Sequence, residues 1–415
     1  MSDTDRALSR RGPARCATAL RWDRDQLVTA REGDTVSLAL LDAGILETSR
    51  SAKYRRPRGA YCLRGDCGTC LVRINGLPNR RACLTAVHEG IRIRPQNRLV
   101  AGADPSALVD TMLRGGMDHH HFMVRPRVVN QLMQGVARNL TGLGTLPDRM
   151  PDAPAQHRVL EPDVLIVGAG SAGRAAHAVL TDGGCDVVWV DRRDRDGIVA
   201  EANAAVSDAL LDHTGVFGVY VAEGLWAAMR DTPGQPAVLY SIKPRHVVVA
   251  TGARDPILAV PNNDRPGVVA ARGLLQQLRR SDATLAVPAV VIGEGAYATA
   301  LADALGVEAL PPADVDRIEG NPVDAVSLRD GKGKRECQLV ALAPLPAPAY
   351  ELARQAGAAV RWHGGGFSVQ RDQRGRCATT AFTVWAAGDV TGYMGPQSAA
   401  DDGERVAAAV LHSLR

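Results

Sequence analysis

Residues 163–193 read DVLIVGAGSAGRAAHAVLTDGGCDVVWVDRR, and this stretch decides the fold. An apolar run, Val164 to Val167, leads into Gly168, Gly170 and Gly173 in a G-x-G-x-x-G spacing. The apolar run reads as a buried strand, the small-residue run after the glycines as a helix, and VVWV as a second strand. In such a unit Gly168 makes the tight turn. Gly170 lets the backbone approach a pyrophosphate at the helix N-terminus, and Gly173 lets helix and strand pack closely. Ser171 and Ala172 complete the candidate binding turn. Asp191 ends the second strand, where its carboxylate can hold a ribose hydroxyl pair, with Arg192 beside it. The bland alternative is a glycine turn without a ligand. Against it, strand, helix, second strand and terminal acid all agree on a dinucleotide site.

Two later segments bear on which dinucleotide. HVVVATGARDPIL, from His246, ends a strand in Ala250-Thr251-Gly252. TVWAAGDVTGYMGPQSAADDGERVAAAVL, from Thr383, is a strand, then Gly388-Asp389, then a helix. The combination resembles the two-dinucleotide-binding-domain flavoproteins. That resemblance implies that Asp389 bonds the ribityl chain of FAD and that the final helix aims its N-terminus at the flavin. Ala250, Thr251, Gly252 and Gly388 join the candidate set. Asp191 stands where that family commonly has Glu, which leaves NAD as the alternative ligand. A second motif, AVVIGEGAYATALADAL, carries Gly293, Gly295 and Ala298. The segment after it, VEALPPADV, puts Pro311 and Pro312 where a charged ribose reader would sit. A domain kept for packing is therefore expected rather than a working NAD(P)H site. No C-x-x-C pair lies near the flavin motif, which disfavours a dithiol mechanism.

Upstream lies RGAYCLRGDCGTCLVRINGLPNRRACLTA, residues 58–86. Cys62, Cys67, Cys70 and Cys83 follow the spacing C-x4-C-x2-C-x12-C, and C-x4-C-x2-C is the plant-type ferredoxin spacing for a [2Fe-2S] cluster. Half of the 8 cysteines fall in this one run, which argues against chance. Structural zinc usually takes paired C-x2-C knuckles, and only one short pair exists here. LVTAREGDTVSLALLDAGI reads as strand, turn at Gly33-Asp34, and helix. TCLVRING reads as a strand ending in an Asn75-Gly76 hairpin turn. The other cysteines, Cys16, Cys185, Cys337 and Cys377, are expected to be buried small hydrophobes.

The expected fold class is α/β with an α+β N-terminal domain: a ferredoxin-like [2Fe-2S] domain, then a two-dinucleotide-binding-domain flavoprotein fold. The expected boundaries are 1–105 for the [2Fe-2S] domain and 106–158 for a connector. Residues 159–257 and 365–415 make the FAD-binding Rossmann-like domain, with 258–364 an inserted, degenerate NAD(P)-type Rossmann-like domain. The connector holds the amphipathic stretch VVNQLMQGVARNL and the run His119-His120-His121, which reads as a solvated or interface run. With 49 basic and 45 acidic residues the net charge is +4, too small to suggest nucleic acid or a membrane surface as partner. The N-terminus has no apolar core of a secretory signal, and no apolar run is long enough for a membrane span. Cysteines used as metal ligands suit a reducing cytoplasm.

The order of segments carries a further resemblance. KYRRPRGAYC (53–62), VRPRVVNQL (124–132) and ATGARDPILAVPNNDRPGVVAARGLLQQL (250–278) resemble the α subunits of heteromeric sarcosine oxidases. Hydrogen cyanide synthase, opine oxidase and amino-acid or hydroxyproline dehydrogenase complexes carry relatives of the same kind. PNNDRPGV is the more specific part. The resemblance implies an oxidoreductase subunit acting on CH–NH donors: a secondary amine, imino acid or glycine is oxidised at a flavin in a separate β subunit, and the α subunit relays electrons. It leaves room for FMN at a subunit interface and for a further small iron–sulfur subunit. The chain departs from the pattern in stopping soon after Gly388-Asp389, without the long C-terminal part of sarcosine oxidase α. The expectation is thus an electron-transfer FAD/[2Fe-2S] subunit. Its rivals are an NAD(P)H-dependent ferredoxin-type reductase and a non-catalytic nucleotide-binding scaffold.

Overall fold

The computed structural model describes residues 6–10, 17–51, 56–97, 128, 154–202, 205–232 and 235–415. Most of the expected connector, including His119-His120-His121, lies outside the described residues, as does Cys16. The chain forms two compact units, Met1–Met150 with Leu258–Ala343, and Pro151–Ile257 with Pro344–Arg415. The segment Leu258–Ala343 is compact with the first unit, and Pro344 onward with the second. Local pairing accounts for the boundary after Ala343. Ala347–Pro348 pairs antiparallel with Ala253–Arg254, and the Ala349 N–H donates to Gly252 O at 2.9 Å. Ala353, Ala356, Ala358 and Val369 then join the apolar cluster of Leu165, Val167 and Val247. The N-terminal region is compact together with Leu258–Ala343.

In the unit built from Pro151–Ile257 and Pro344–Arg415, five strands form a wholly parallel sheet. Their order is Leu210–Leu211, Val187–Val190, Val164–Val167, His246–Val249, Thr383–Ala386. Val164–Val167 and His246–Val249 are buried throughout, as strands covered on both faces must be. The helix Ser171–Asp182 follows the glycine turn and packs on the last helix, Pro396–Leu414. A second sheet runs Thr214–Tyr220, Leu225–Arg230, Val238–Ile242, Gln156–Leu160.

In the other unit a five-stranded mixed sheet runs Gln26–Arg31, Ala17–Trp22, Arg92–Pro95, Leu71–Ile74, Leu77–Arg81. Asn75 at φ 49° and Gly76 at φ 84° make the expected two-residue turn, with both central residues left-handed as a type I′ hairpin needs. Thr35 caps the helix Val36–Asp42, its Oγ1 accepting the Leu38 N–H at 3.2 Å. The inserted segment adds a four-stranded parallel sheet, Val268–Ala270, Leu339–Ala343, Ala289–Gly293, Ala309–Leu310. Its helices are Ala271–Arg280 and Ala296–Leu305. The strand after the second glycine motif is only Ala309–Leu310 and gives way to Pro311 and a short helical turn, Pro312–Asp314. Cys337 and Cys377 are buried as expected, whereas Cys185 is half-buried.

Candidate functional site

Every residue of the expected nucleotide site stands at the carboxyl edge of one parallel sheet. Gly168 follows the Val164–Val167 strand, Asp191 follows Val187–Val190, Ala250-Thr251-Gly252 follows His246–Val249, and Gly388-Asp389 follows Thr383–Ala386. In open α/β sheets this is the edge at which ligands bind. The glycines fit a pyrophosphate. A Cβ on Gly168 would lie 2.2 Å from Ala250 O, and one on Gly173 would lie 1.9 Å from Gly168 O. Gly170, the residue preceding the helix Ser171–Asp182, has no heavy atom within 4 Å of where a Cβ would sit. The first and third glycines are thus required by the protein's own packing, while the space before the second is open for a ligand.

Several expected site residues do other work. Ala172 packs its Cβ toward Gly388, and its carbonyl would lie 2.2 Å from a Cβ on Gly403 of the last helix. Its side chain joins two elements rather than facing a ligand. The Thr251 hydroxyl donates to Ala349 O at 2.7 Å. The largest departure is Asp191. Its Oδ2 accepts the Ala169 N–H at 2.8 Å and Nη2 of Arg193 at 3.0 Å, and its Oδ1 accepts the N–H and Nε of Arg193 at 2.9 and 3.0 Å. A carboxylate offers about four lone-pair positions, and four donors fill them. Burial opposes its charge, yet Arg193 holds its pKa below the usual carboxylate range. Asp191 therefore fixes the glycine turn to Arg193, which also pairs with Glu201. Arg192 is exposed beside it. Asp389 stands in the turn Gly388–Thr391, its Oδ1 accepting the Met394 N–H at 2.9 Å.

One site residue escaped the sequence reading. Asp402, in the last helix, accepts the Gly388 N–H at 2.8 Å through Oδ2 and binds Arg371 through both oxygens, at 2.7 and 3.0 Å. Arg405 adds a bond at 2.6 Å, and Arg371 also donates to Ala386 O at 2.8 Å. Burial raises the Asp402 pKa, but Arg371, the Gly388 amide and Arg405 outweigh it and hold the pKa low. The available signal was an acid on the apolar stripe Ala399, Gly403, Val406, Val410. Removing one partner of a buried pair leaves the other charge stranded, so Asp402→Ala is expected to destabilise by about 3 kcal/mol. It should also loosen the turn that carries Asp389, read as a lower Tm together with loss of bound flavin on dilution.

The four expected metal ligands come together. Cys70 Sγ lies 3.4 Å from Cys83 Sγ, both side chains buried. Cys62 Sγ accepts the amides of Asp66 at 3.1 Å and Cys67 at 3.3 Å. Cys67 Sγ accepts the Cys62 amide at 3.4 Å and lies 3.2 Å from Thr69 Oγ1. Cys67 is the exposed member. Hydrogen bonds from Cys67 and then Cys83 pull the Cys62 thiol far down, while Cys62, Cys70 and burial push Cys83 up. Thiols this close cannot all ionise without positive charge among them. Among the described residues no three His, Cys, Asp or Glu side chains converge as for a single ion. Cys83 bonds to Cys62 as well as to Cys70, so the four thiols form one linked group, the ligand number that a [2Fe-2S] centre takes.

The comparisons agree with this geometry. A 2Fe-2S iron-sulfur cluster binding domain family matches residues 18–98, a range that contains all four cysteines. Sarcosine oxidase subunit alpha of Rhizobium meliloti is 29% identical over 287 residues, 60% of this chain and 29% of that protein. Hydrogen cyanide synthase subunit HcnA of Pseudomonas aeruginosa is 39% identical over 72 residues, 17% of this chain and 68% of that subunit. The chain belongs to this family of sarcosine oxidase and hydrogen cyanide synthase subunits. This family member spans about three tenths of the length of the sarcosine oxidase α subunit it matches. The crystal structure of L-proline dehydrogenase from P. horikoshii superposes with a TM-score of 0.71 at 18% identity, over 99% of this chain and 76% of that one. At that identity the likeness is one of fold. The fold class read from the sequence, a ferredoxin-like [2Fe-2S] domain with a flavoprotein-type α/β fold, is the one found. No helix among the described residues is long and apolar enough to cross a membrane.

Proposed function

We propose that this chain is the FAD- and [2Fe-2S]-binding electron-transfer subunit of a heteromeric cytoplasmic dehydrogenase or oxidase acting on the CH–NH bond of an amine or imino acid. The observation that carries the reading is the presence, on one chain of this family, of the four-thiol loop and of a parallel sheet whose carboxyl edge gathers both flavin motifs. Bound FAD would accept electrons in pairs, and a [2Fe-2S] cluster would carry them singly. Gly168, Gly170, Ser171 and Gly173 would present the helix N-terminus to the pyrophosphate. Asp389, held by the Gly388–Asp402 hydrogen bond, would meet the ribityl chain. Cys67, the exposed ligand, marks the edge of the cluster loop open to an electron-exchange partner. The named relatives are subunits, which supports a separate flavin-dependent β subunit as the site of substrate oxidation, with FMN at an interface and a further small iron–sulfur subunit as additional components.

Two outcomes test this. Alone, the chain should not oxidise sarcosine, proline or glycine; copurified with its β subunit from the native host, it should. A single-chain protein that turns over any of these amines would overturn the assignment. Nor should NADH or NADPH reduce the bound flavin at a useful rate, because the strand after the second glycine motif stops at Leu310 and Pro311 follows it. Rapid bleaching by either nucleotide would favour the reductase reading instead.

A further inference from the structure

We propose that the helix Ala271–Arg280 of the inserted segment is part of the iron–sulfur site: it fixes the backbone of the loop that carries the first cysteine ligand and thereby sets the reduction potential of the cluster. The proposal rests on the [2Fe-2S] reading above. Three consecutive loop carbonyls are taken up by this helix and the residue before it. Tyr61 O accepts the Ala270 N–H at 2.8 Å. Cys62 O lies against Gly273, where a Cβ would stand 2.0 Å from it. Leu63 O accepts Nε2 of Gln277 at 3.1 Å. The next residue, Arg64, donates from Nη1 to Gln276 Oε1 at 3.0 Å.

These contacts are more specific than helix packing requires. Gln277 is 4% exposed, and its Oε1 accepts the Thr35 hydroxyl at 3.1 Å, so its amide is held at both ends. A buried amide that lost these partners would pay its desolvation in full. Leu63 has φ 53°, a left-handed conformation that costs a side-chain-bearing residue about 1–2 kcal/mol. Its side chain is buried in one cluster with Leu38, Leu274, Leu275 and Leu278, packing that offsets the strain. With the carbonyls of Tyr61 and Leu63 turned to the helix, the amides at the other end of the same peptides, those of Cys62 and Arg64, reach sulfur, as do the amides of Asp66 and Cys67. Such amide hydrogen bonds stabilise the more negative, reduced cluster and so raise its potential.

The same view accounts for PNNDRPGV, which nucleotide chemistry leaves unexplained. Asp264 Oδ2 binds Nη1 of Arg58 at 2.7 Å, and a Cβ on Gly59 would stand 3.3 Å from the Cα of Pro266. The phrase brackets the approach to Cys62. The inserted segment, with its truncated second nucleotide motif, supports the cluster loop instead.

The test uses the full chain, comparing Gln277→Leu and Gly273→Ala with the parent for iron content, the paramagnetic spectrum of the reduced cluster and its midpoint potential. Gln277→Leu should keep its iron, change the spectrum and lower the potential. At the parent's midpoint the reduced-to-oxidised ratio should fall about tenfold, or about 59 mV for a one-electron couple. Gly273→Ala must displace the Cys62 carbonyl, so it should shift the potential further, or lose iron from folded protein. A purely structural helix would lower Tm and leave spectrum and potential unchanged. Variants with full iron and the parent's spectrum and potential would overturn the proposal. Should Gly273→Ala not fold, Gln277→Leu decides alone. A parent protein without iron would sink the cluster reading itself, and the proposal with it.

Discussion

Gly170→Val should abolish flavin binding while leaving the protein folded. Gly170 has φ −73° and ψ −171°, extended backbone that a valine adopts readily. No protein atom lies within 4 Å of the added Cβ, so the apoprotein meets no clash. The valine methyls would instead fill the space through which a pyrophosphate reaches the first amides of the helix Ser171–Asp182. Affinity should fall by at least about a hundredfold, about 2.8 kcal/mol, and the purified variant should lack flavin absorbance and melt at the Tm of flavin-free parent protein. Gly173→Val is the contrasting case. Its Cβ would collide with Gly168 O, so the turn itself must break and stability should fall with binding. A Gly170→Val protein that retains a full complement of FAD would remove the basis for the nucleotide assignment. If the nucleotide released from the parent by heat is NAD or ATP, the fold stands and the flavin reading fails.

The second large effect is expected at Cys70. The parent should be brown and hold about two iron atoms per chain, as a four-cysteine two-iron centre requires. Cys70→Ser should lose most of that iron, because the serine hydroxyl is a poor substitute for a buried thiolate paired with Cys83. Cys67→Ser changes the exposed ligand, so an altered paramagnetic spectrum is expected rather than simple loss. Cys377→Ser is the control. That thiol is buried in the apolar cluster of Leu165 and Val167, with its pKa pushed up to about 11 by burial, and its loss should leave iron content and spectrum intact. A colourless parent containing one zinc would refute the cluster.

What was legible in the sequence was legible because its cause is local. Asn75-Gly76 specifies a hairpin turn by the φ that glycine and asparagine tolerate. Four cysteines in one short run specify a cluster by ligand count and reach. Gly168, Gly170 and Gly173 specify a strand–turn–helix by what a Cβ would hit. Even the weakness of the second nucleotide motif could be read, since proline ends a strand wherever it falls.

The partners of the polar groups were not legible, because tertiary contact alone supplies them. Asp191 ends the expected strand, yet Arg193 has bent back onto it and saturated its carboxylate. Asp402 is only an acid on an apolar stripe until Arg371, 31 residues away in sequence, and the Gly388 amide close on it. Ala347–Pro348 meets Ala253–Arg254, about a hundred residues earlier, only through antiparallel pairing within one compact unit. Gln277 and Leu63, 214 residues apart, meet only because the inserted segment packs with the N-terminal region. The sequence by itself determined the cofactor chemistry and the order of the elements, since both follow from residue type and short spacing. The tertiary structure decided which side chains are free for a ligand and which hold the scaffold, since a buried polar group takes whatever partner the fold brings to it.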